Sequence, residues 1–501
     1  MPFCPKTLIN VWDTMKLRYI SIELILKNFN IWKGGYMKII EAGKRYGFDK
    51  VFDYVAKDPQ KRGVQLVEWA ENLSHGDFSP QIKIIREVFE DENHPYHSFV
   101  MKIFQEVDKK QIKKVAYNFF MNASVLGWQT QQKYREEYNC NIPWAILLDP
   151  TSACNLKCTG CWAAEYGYKQ NLSYDEIDSI ITQGKELGTY MYIYTGGEPL
   201  VRKDDLIKLC EKHNDCVFLS FTNATLIDED FVDEMQRVGN FIPAISLEGF
   251  EEATDGRRGE GVYKKVIKAM KMLQERHLIY GISCCYTSQN FDSITSEEYY
   301  DYLIELGAYF VWYFHYMPVG NAAVTDLLPT PEQRKLTIER LRKYRAEKPL
   351  FALDFQNDAE YVGGCIAGGR RYLHINASGD VEPCVFIHYS DSNIREKSLL
   401  DCLRAPLFTK YHDGQPFNDN MLMPCPMLEN PNELREMVHS TDAKSTDLES
   451  KQTVDSLCGN CDEYAKNWEV EAEEIWDKSP KKERFKGSYH TMNRQETMKS
   501  K

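Results

Sequence analysis

The sequence predicts an α/β protein whose core is a parallel sheet curling into a partial (β/α)6 barrel. From residue 144 onward, short runs rich in β-branched and aromatic residues alternate with segments of helical apolar periodicity. Six such strands in a row require right-handed crossovers and a parallel sheet. Short polar or glycine-containing segments close the early strands, and in folds of this kind active residues gather at C-terminal strand ends.

The strands fall at 144–148, 190–194, 216–221, 242–247, 279–286 and 309–315, with helices near 174–187, 203–213, 228–238, 262–276 and 296–306. Ser173 and Glu176 form a capping box at the first of these helices, each side chain satisfying a backbone N–H of the first turn. The core barrel spans 141–345. Ahead of it, apolar positions at helical spacing in 64–73, 82–89 and 112–126 mark 37–140 as a helical N-terminal domain. Residues 1–36 read either as a translated leader or as an N-terminal helix: Lys33-Gly34-Gly35 can be spelled by purine-rich codons of ribosome-binding form just before Met37. After a helix near 331–346, residues 346–477 form a small Cys-rich α+β extension, and 478–501 a disordered charged tail.

Composition narrows the function. The 501 residues carry a net charge of −13, which disfavours a general nucleic-acid binder because phosphates would be repelled. No apolar run approaches the roughly 20 residues of a membrane span. The 15 cysteines follow no secretory signal, so they read as thiols or metal ligands in a reducing cytoplasm, not as a disulfide framework.

Directly after the first strand stands Asp149-Pro-Thr-Ser-Ala-Cys154-Asn-Leu-Lys-Cys158-Thr-Gly-Cys161-Trp162. Three thiolates at this spacing can fold around one face of an iron–sulfur cube, leaving the fourth iron free for a small molecule. Zinc would more naturally take four ligands in two CxxC knuckles. CxxxCxxC after the first strand of an α/β barrel resembles the signature of the radical S-adenosylmethionine (SAM) superfamily. The resemblance covers about residues 144–320. It implies an enzyme in which a [4Fe–4S] cluster on Cys154, Cys158 and Cys161 binds SAM at its open iron and cleaves it reductively. The resulting 5′-deoxyadenosyl radical abstracts a substrate hydrogen. Gly160 departs from the pattern, since many members carry an aromatic residue before the third cysteine.

Other segments resemble the family's SAM-binding motifs. Thr195-Gly196-Gly197-Glu198-Pro199, after the second strand, is similar to GGEP, where the carboxylate suits the SAM ammonium. Thr222-Asn223-Ala224-Thr225 resembles TNGT with Ala for Gly, and Ser246-Leu247-Glu248-Gly249 resembles SLDG with Glu for Asp. Arg258 stands where the family often supplies an arginine for the SAM carboxylate; a surface pair with Asp255 is the alternative.

Cys365, Gly379 and Cys384 are spaced as in the opening of SPASM and twitch extensions, followed by Cys425 and by Cys458-Gly-Asn-Cys461. The resemblance implies one auxiliary [4Fe–4S] cluster. Cys365 and Cys384 are its pair on a hairpin at 372–375 and 381–385, while Cys425 and the Cys458–Cys461 pair compete for the remaining positions. A three-cysteine site open to substrate and structural zinc are the other readings. The remaining cysteines, Cys285 among them, read as inert thiols. Alternate aromatic residues of 309–316 should face the barrel mouth. Asp354, Asp358 and His388 are candidates for a general base or for turn formation. The implied partners are a reductant such as ferredoxin or flavodoxin and a peptide, small-molecule or lipid substrate. The competing class is a non-catalytic iron–sulfur redox protein, which would need no SAM pocket.

Overall fold

The computed structural model describes residues 33–74, 79–320 and 323–485. The expectation for residues 1–36 therefore lies mostly outside the described residues. A helix already spans Lys33–Val55, so position 37 is not a break in secondary structure. The chain divides into two compact units, Met1–Asp58 and Pro59–Lys501.

In the second unit one nine-stranded sheet dominates. Its strands are β1 (Ala145–Leu148), β2 (Met191–Tyr194), β3 (Val217–Thr222), β4 (Phe241–Ser246), β5 (Gly281–Tyr286), β6 (Phe310–His315), β7 (Phe351–Asp354), β8 (Tyr372–Ile375) and β9 (Val381–Glu382). The order is β7-β6-β5-β4-β3-β2-β1-β8-β9, so the sheet curls without closing. All neighbours are parallel except the β8–β9 hairpin. The six expected strands are present. Two features lie beyond them: β7 extends one edge, and β8 pairs with β1 in the register Ala145↔Tyr372 to Leu148↔Ile375. The hairpin expected in the extension is thus part of the barrel sheet itself.

Alternation along each strand separates two cores. Ile146, Leu148, Tyr192, Tyr194, Phe218 and Ile245 pack outward against the helices. Ala145, Leu147, Met191, Ile193, Leu219 and Ala244 face inward, and this inner core continues to Trp468 on the helix Val454–Asp477. The capping box forms as expected: Ser173 N–H donates to Glu176 (2.6 Å) and Glu176 N–H to Ser173 Oγ (3.2 Å).

The helical segment 109–126 closes the barrel floor. Its amide side chains satisfy backbone groups where strands begin: Asn118 donates to Cys216 O (2.9 Å), Asn122 to Asp215 O (2.8 Å), and Gln111 accepts from Ile279 N–H (2.7 Å). Phe119 meets Trp144 edge-on, with ring centroids 5.5 Å apart. Past residue 478 the chain stays ordered longer than its charge suggests, because Phe485 is fully buried against Trp476. Residues 486–501 lie outside the described residues.

Candidate active site

The C-terminal strand ends surround a cavity of about 390 Å³. Cys154, Cys158 and Cys161 line it from the loop after β1. Gly196, Gly197, Glu198, Asn223, Ser246 and Arg258 line it from the ends of β2, β3 and β4 and the helix beyond. Cys365, Cys384 and Cys425 line it from the C-terminal region. Two cysteine trios about 200 residues apart in sequence therefore face one chamber.

The second loop is built against the first. Gly197 N–H donates to Thr151 O (3.1 Å) and Glu198 N–H to Ala153 O (2.8 Å). A Cβ at Gly197 would stand 2.2 Å from Ala153 O, and one at Gly196 2.7 Å from Thr151 O. These glycines serve loop-to-loop contact as much as ligand approach. Glu198, 1% exposed, accepts from Thr222 Oγ1 (2.6 Å), Leu200 N–H (3.0 Å) and Asn223 N–H (2.7 Å). Burial pushes its carboxyl above the usual range, while these hydrogen bonds pull it back. Pro199 opens a short 3₁₀ turn behind Glu198 and is buried there.

Glu248 does not line the cavity. It is wholly buried and accepts from Arg257 Nη1 (2.5 Å), Arg258 Nη2 (2.5 Å) and Cys285 N–H (2.9 Å). Burial opposes its charge, yet the two guanidiniums hold its carboxyl below the usual range. Its longer side chain thus aims two arginines at the cysteine loop, with Arg258 Nη1 3.9 Å from Cys158 Sγ. Arg258 has no part in the pair with Asp255, whose carboxylate accepts from Gly261 and Tyr263 N–H (2.8 and 2.7 Å). Sequence reasoning missed Arg257 and Cys285. Both line the cavity, and strand alternation in β5 carried the signal for Cys285, whose thiol burial raises to about 11.

On β6, Trp312 and Phe314 face the chamber while Val311 and Tyr313 are buried in the outer core, as alternation requires. Gly160 has φ +65°, and Tyr316 occupies the space a side chain there would need. Asp358 accepts from Asp354 N–H (2.8 Å) and pairs with Arg345, a turn-forming role. Asp354 pairs with Tyr313 across the sheet and bonds Asn357 (2.8 Å); burial, then the charge of Asp358, push it up to about 7. His388 pairs with Asp447 (2.6 Å) and stacks on Tyr166.

Both trios suit an iron–sulfur cluster. Among the described residues no group of three His, Cys, Asp or Glu side chains is placed to hold a single metal ion. Backbone donors point at the sulfurs: Leu156 N–H at Cys154, and Met427 and Leu428 N–H at Cys425, each at 3.4 Å. The Cys458–Cys461 pair sits apart from the chamber, fully buried on the Val454–Asp477 helix.

The arrangement suits an iron–sulfur SAM site on an open α/β barrel. Residues 148–288 match the Radical SAM superfamily, so the barrel carries a radical SAM domain, the class of domain that works with a [4Fe–4S] cluster and SAM. The chain is similar to Fe-coproporphyrin III synthase of Methanosarcina barkeri, 28% identical over 208 residues, which cover 40% of this chain and 51% of the relative. The alignment thus spans about half the length of that protein. AdoMet-dependent heme synthase of the same organism is 24% identical over 306 residues, 55% of this chain and 86% of the relative. Among solved structures, Streptococcus suis SuiB bound to precursor peptide SuiA shares the fold, with TM-score 0.51 and 20% identity over 65% of this chain and 79% of that one. Among the described residues no helix is long and apolar enough to cross a membrane.

Proposed function

We propose that this enzyme abstracts hydrogen from a small molecule with a flat apolar face, held in the chamber between the two cysteine trios. An auxiliary [4Fe–4S] cluster sits on Cys365, Cys384 and Cys425, and ferredoxin or flavodoxin is the reductant. The observation that carries this reading is the shared chamber: Trp144, Phe221, Trp312, Phe314, Phe355 and Phe386 line it beside both trios. Rings of this kind favour a substrate with a flat, greasy face, and Arg257, Arg258 and Arg371 on the same wall can meet carboxylates at its edge. The SAM cluster, when loaded, supplies the one-electron cleavage that generates the hydrogen-abstracting radical. This chain's residues hold SAM at the GGEP-like loop, neutralise charge with Arg257 and Arg258, and keep water from the chamber with the aromatic wall.

The test is anaerobic incubation of reconstituted protein with SAM and dithionite, following 5′-deoxyadenosine by mass spectrometry. An iron porphyrin is the first candidate substrate, a flat ring system prompted by the relatives named as Fe-coproporphyrin III synthase and heme synthase, with a short peptide as the contrast. Substrate-stimulated 5′-deoxyadenosine with the porphyrin supports the reading. Stimulation by the peptide alone replaces it with peptide modification, and no SAM cleavage at all with intact clusters supports the non-catalytic class.

A further inference from the structure

Two buried tyrosines pack beside the C-terminal trio. Tyr372, at the start of β8, places its hydroxyl 2.8 Å from Cys384 Sγ. Tyr411, on the helix Pro406–Gly414, is fully buried, and its hydroxyl has no hydrogen-bond partner. A buried phenol O–H is a donor available to an acceptor placed beside it.

Tyr411 packs against the loop that carries Cys365. Its ring lies where a Cβ at Gly368 would fall, 2.4 Å from Tyr411 Cβ, and Gly368 takes φ +60° to admit it. Gly368 N–H donates to Pro383 O (2.8 Å), so the ring packs where the Cys365 loop meets the strand leading to Cys384. Phe417 holds the ring edge-on at 5.4 Å. Burial first, then the neighbouring sulfurs of Cys365, Cys384, Cys425 and Cys458, raise this phenol far above its ordinary value. The hydroxyl is thus kept as a neutral donor among sulfurs.

We propose that the Tyr411 and Tyr372 hydroxyls donate hydrogen bonds to the sulfurs of the auxiliary cluster and raise its reduction potential. The inference rests on the auxiliary cluster of the preceding reading. Reduction adds one electron and no proton to the cluster, so donor dipoles aimed at its sulfurs stabilise the reduced form more than the oxidised one.

The experiment compares anaerobically reconstituted full-length wild type, Tyr411→Phe, Tyr372→Phe and the double variant by iron analysis and EPR-monitored redox titration, with and without SAM. SAM alters the signal of the cluster it binds and so distinguishes the two. Each variant should keep about eight irons. The midpoint of the SAM-insensitive cluster should fall, reaching about a tenfold change in the one-electron equilibrium (about 59 mV) in the double variant. The SAM-responsive midpoint should stay put. Tyr192→Phe, whose hydroxyl bonds Ile181 O and Thr189 O, should shift neither. Intact clusters with unchanged midpoints would overturn the inference. About four irons in wild type, all SAM-responsive, would show that the auxiliary-cluster reading itself fails and takes this one with it. Should a variant lose iron, electron–nuclear double resonance on wild type before and after exchange into D2O decides. Exchangeable protons coupled to the SAM-insensitive cluster are expected, and their absence overturns the proposal.

Discussion

Tyr316 fills the space that a side chain at Gly160 would occupy: a Cβ there would lie 2.7 Å from the Tyr316 ring. The residue that breaks the family pattern before the third cysteine is thus matched by an aromatic ring from the loop after β6, held by Val324 N–H donating to its hydroxyl (3.1 Å). Gly160→Phe should destabilise by about 1–3 kcal/mol through overpacking. Tyr316→Ala should relieve part of that cost, giving a non-zero coupling in a double-mutant cycle. Thermal melts of the four proteins measure it; additive effects would show that the two positions do not share space.

His374 ties the hairpin to the barrel. Its imidazole lies 2.9 Å from Asp149 Oδ1 at the end of β1 and 2.6 Å from Glu382 Oε2 on β9, all fully buried. Burial pulls the imidazole down, but the charge of Asp149 and the bonds to both carboxylates outweigh it and hold the group up at about 10. The folded state keeps a proton that the unfolded chain releases near 6.5, so this stabilisation is complete below that pH and is lost as pH climbs toward about 10. Wild-type melting temperature should fall across this window, and His374→Gln should lose that part of the slope. His374→Leu, which strands two buried carboxylates, should cost about 3–5 kcal/mol. Equal slopes in wild type and His374→Gln would assign the titration elsewhere.

Glu198→Gln keeps one oxygen, which can still accept from Leu200 N–H and Thr222 Oγ1, but it replaces the oxygen facing Asn223 N–H with an amide and removes the charge. SAM affinity should drop by about 10- to 100-fold, as for loss of a charged hydrogen bond of about 1.5–3 kcal/mol, with cluster iron unchanged. Equilibrium binding to the reconstituted enzyme checks it; unaltered affinity removes Glu198 from the SAM ammonium.

Cys425→Ser should lose about half the cluster iron, whereas Cys458→Ser and Cys461→Ser should retain it, because only Cys425 of these three lines the chamber. Iron counts and Mössbauer spectra of each variant rank them. Loss of iron in Cys461→Ser would move that residue into the ligand set.

Local pattern determined much of this protein. The six strand–helix units, the capping box at Ser173, the CxxxCxxC loop after β1 and the GGEP-like turn after β2 are set by spacing over a few residues, and each stands where periodicity put it. Tertiary structure decided the rest. Nothing in the period of 372–375 says that this strand adds in parallel to β1, yet that pairing sets His374 between Asp149 and Glu382 and brings Cys384 to the chamber of Cys161. It likewise turned Glu248 from the cavity toward two arginines, seated Tyr316 over Gly160, and split five C-terminal cysteines into a lining trio and a buried pair. Contacts across some 200 residues depend on how whole elements pack, and burial and charge compensation at such contacts have no signature in local composition.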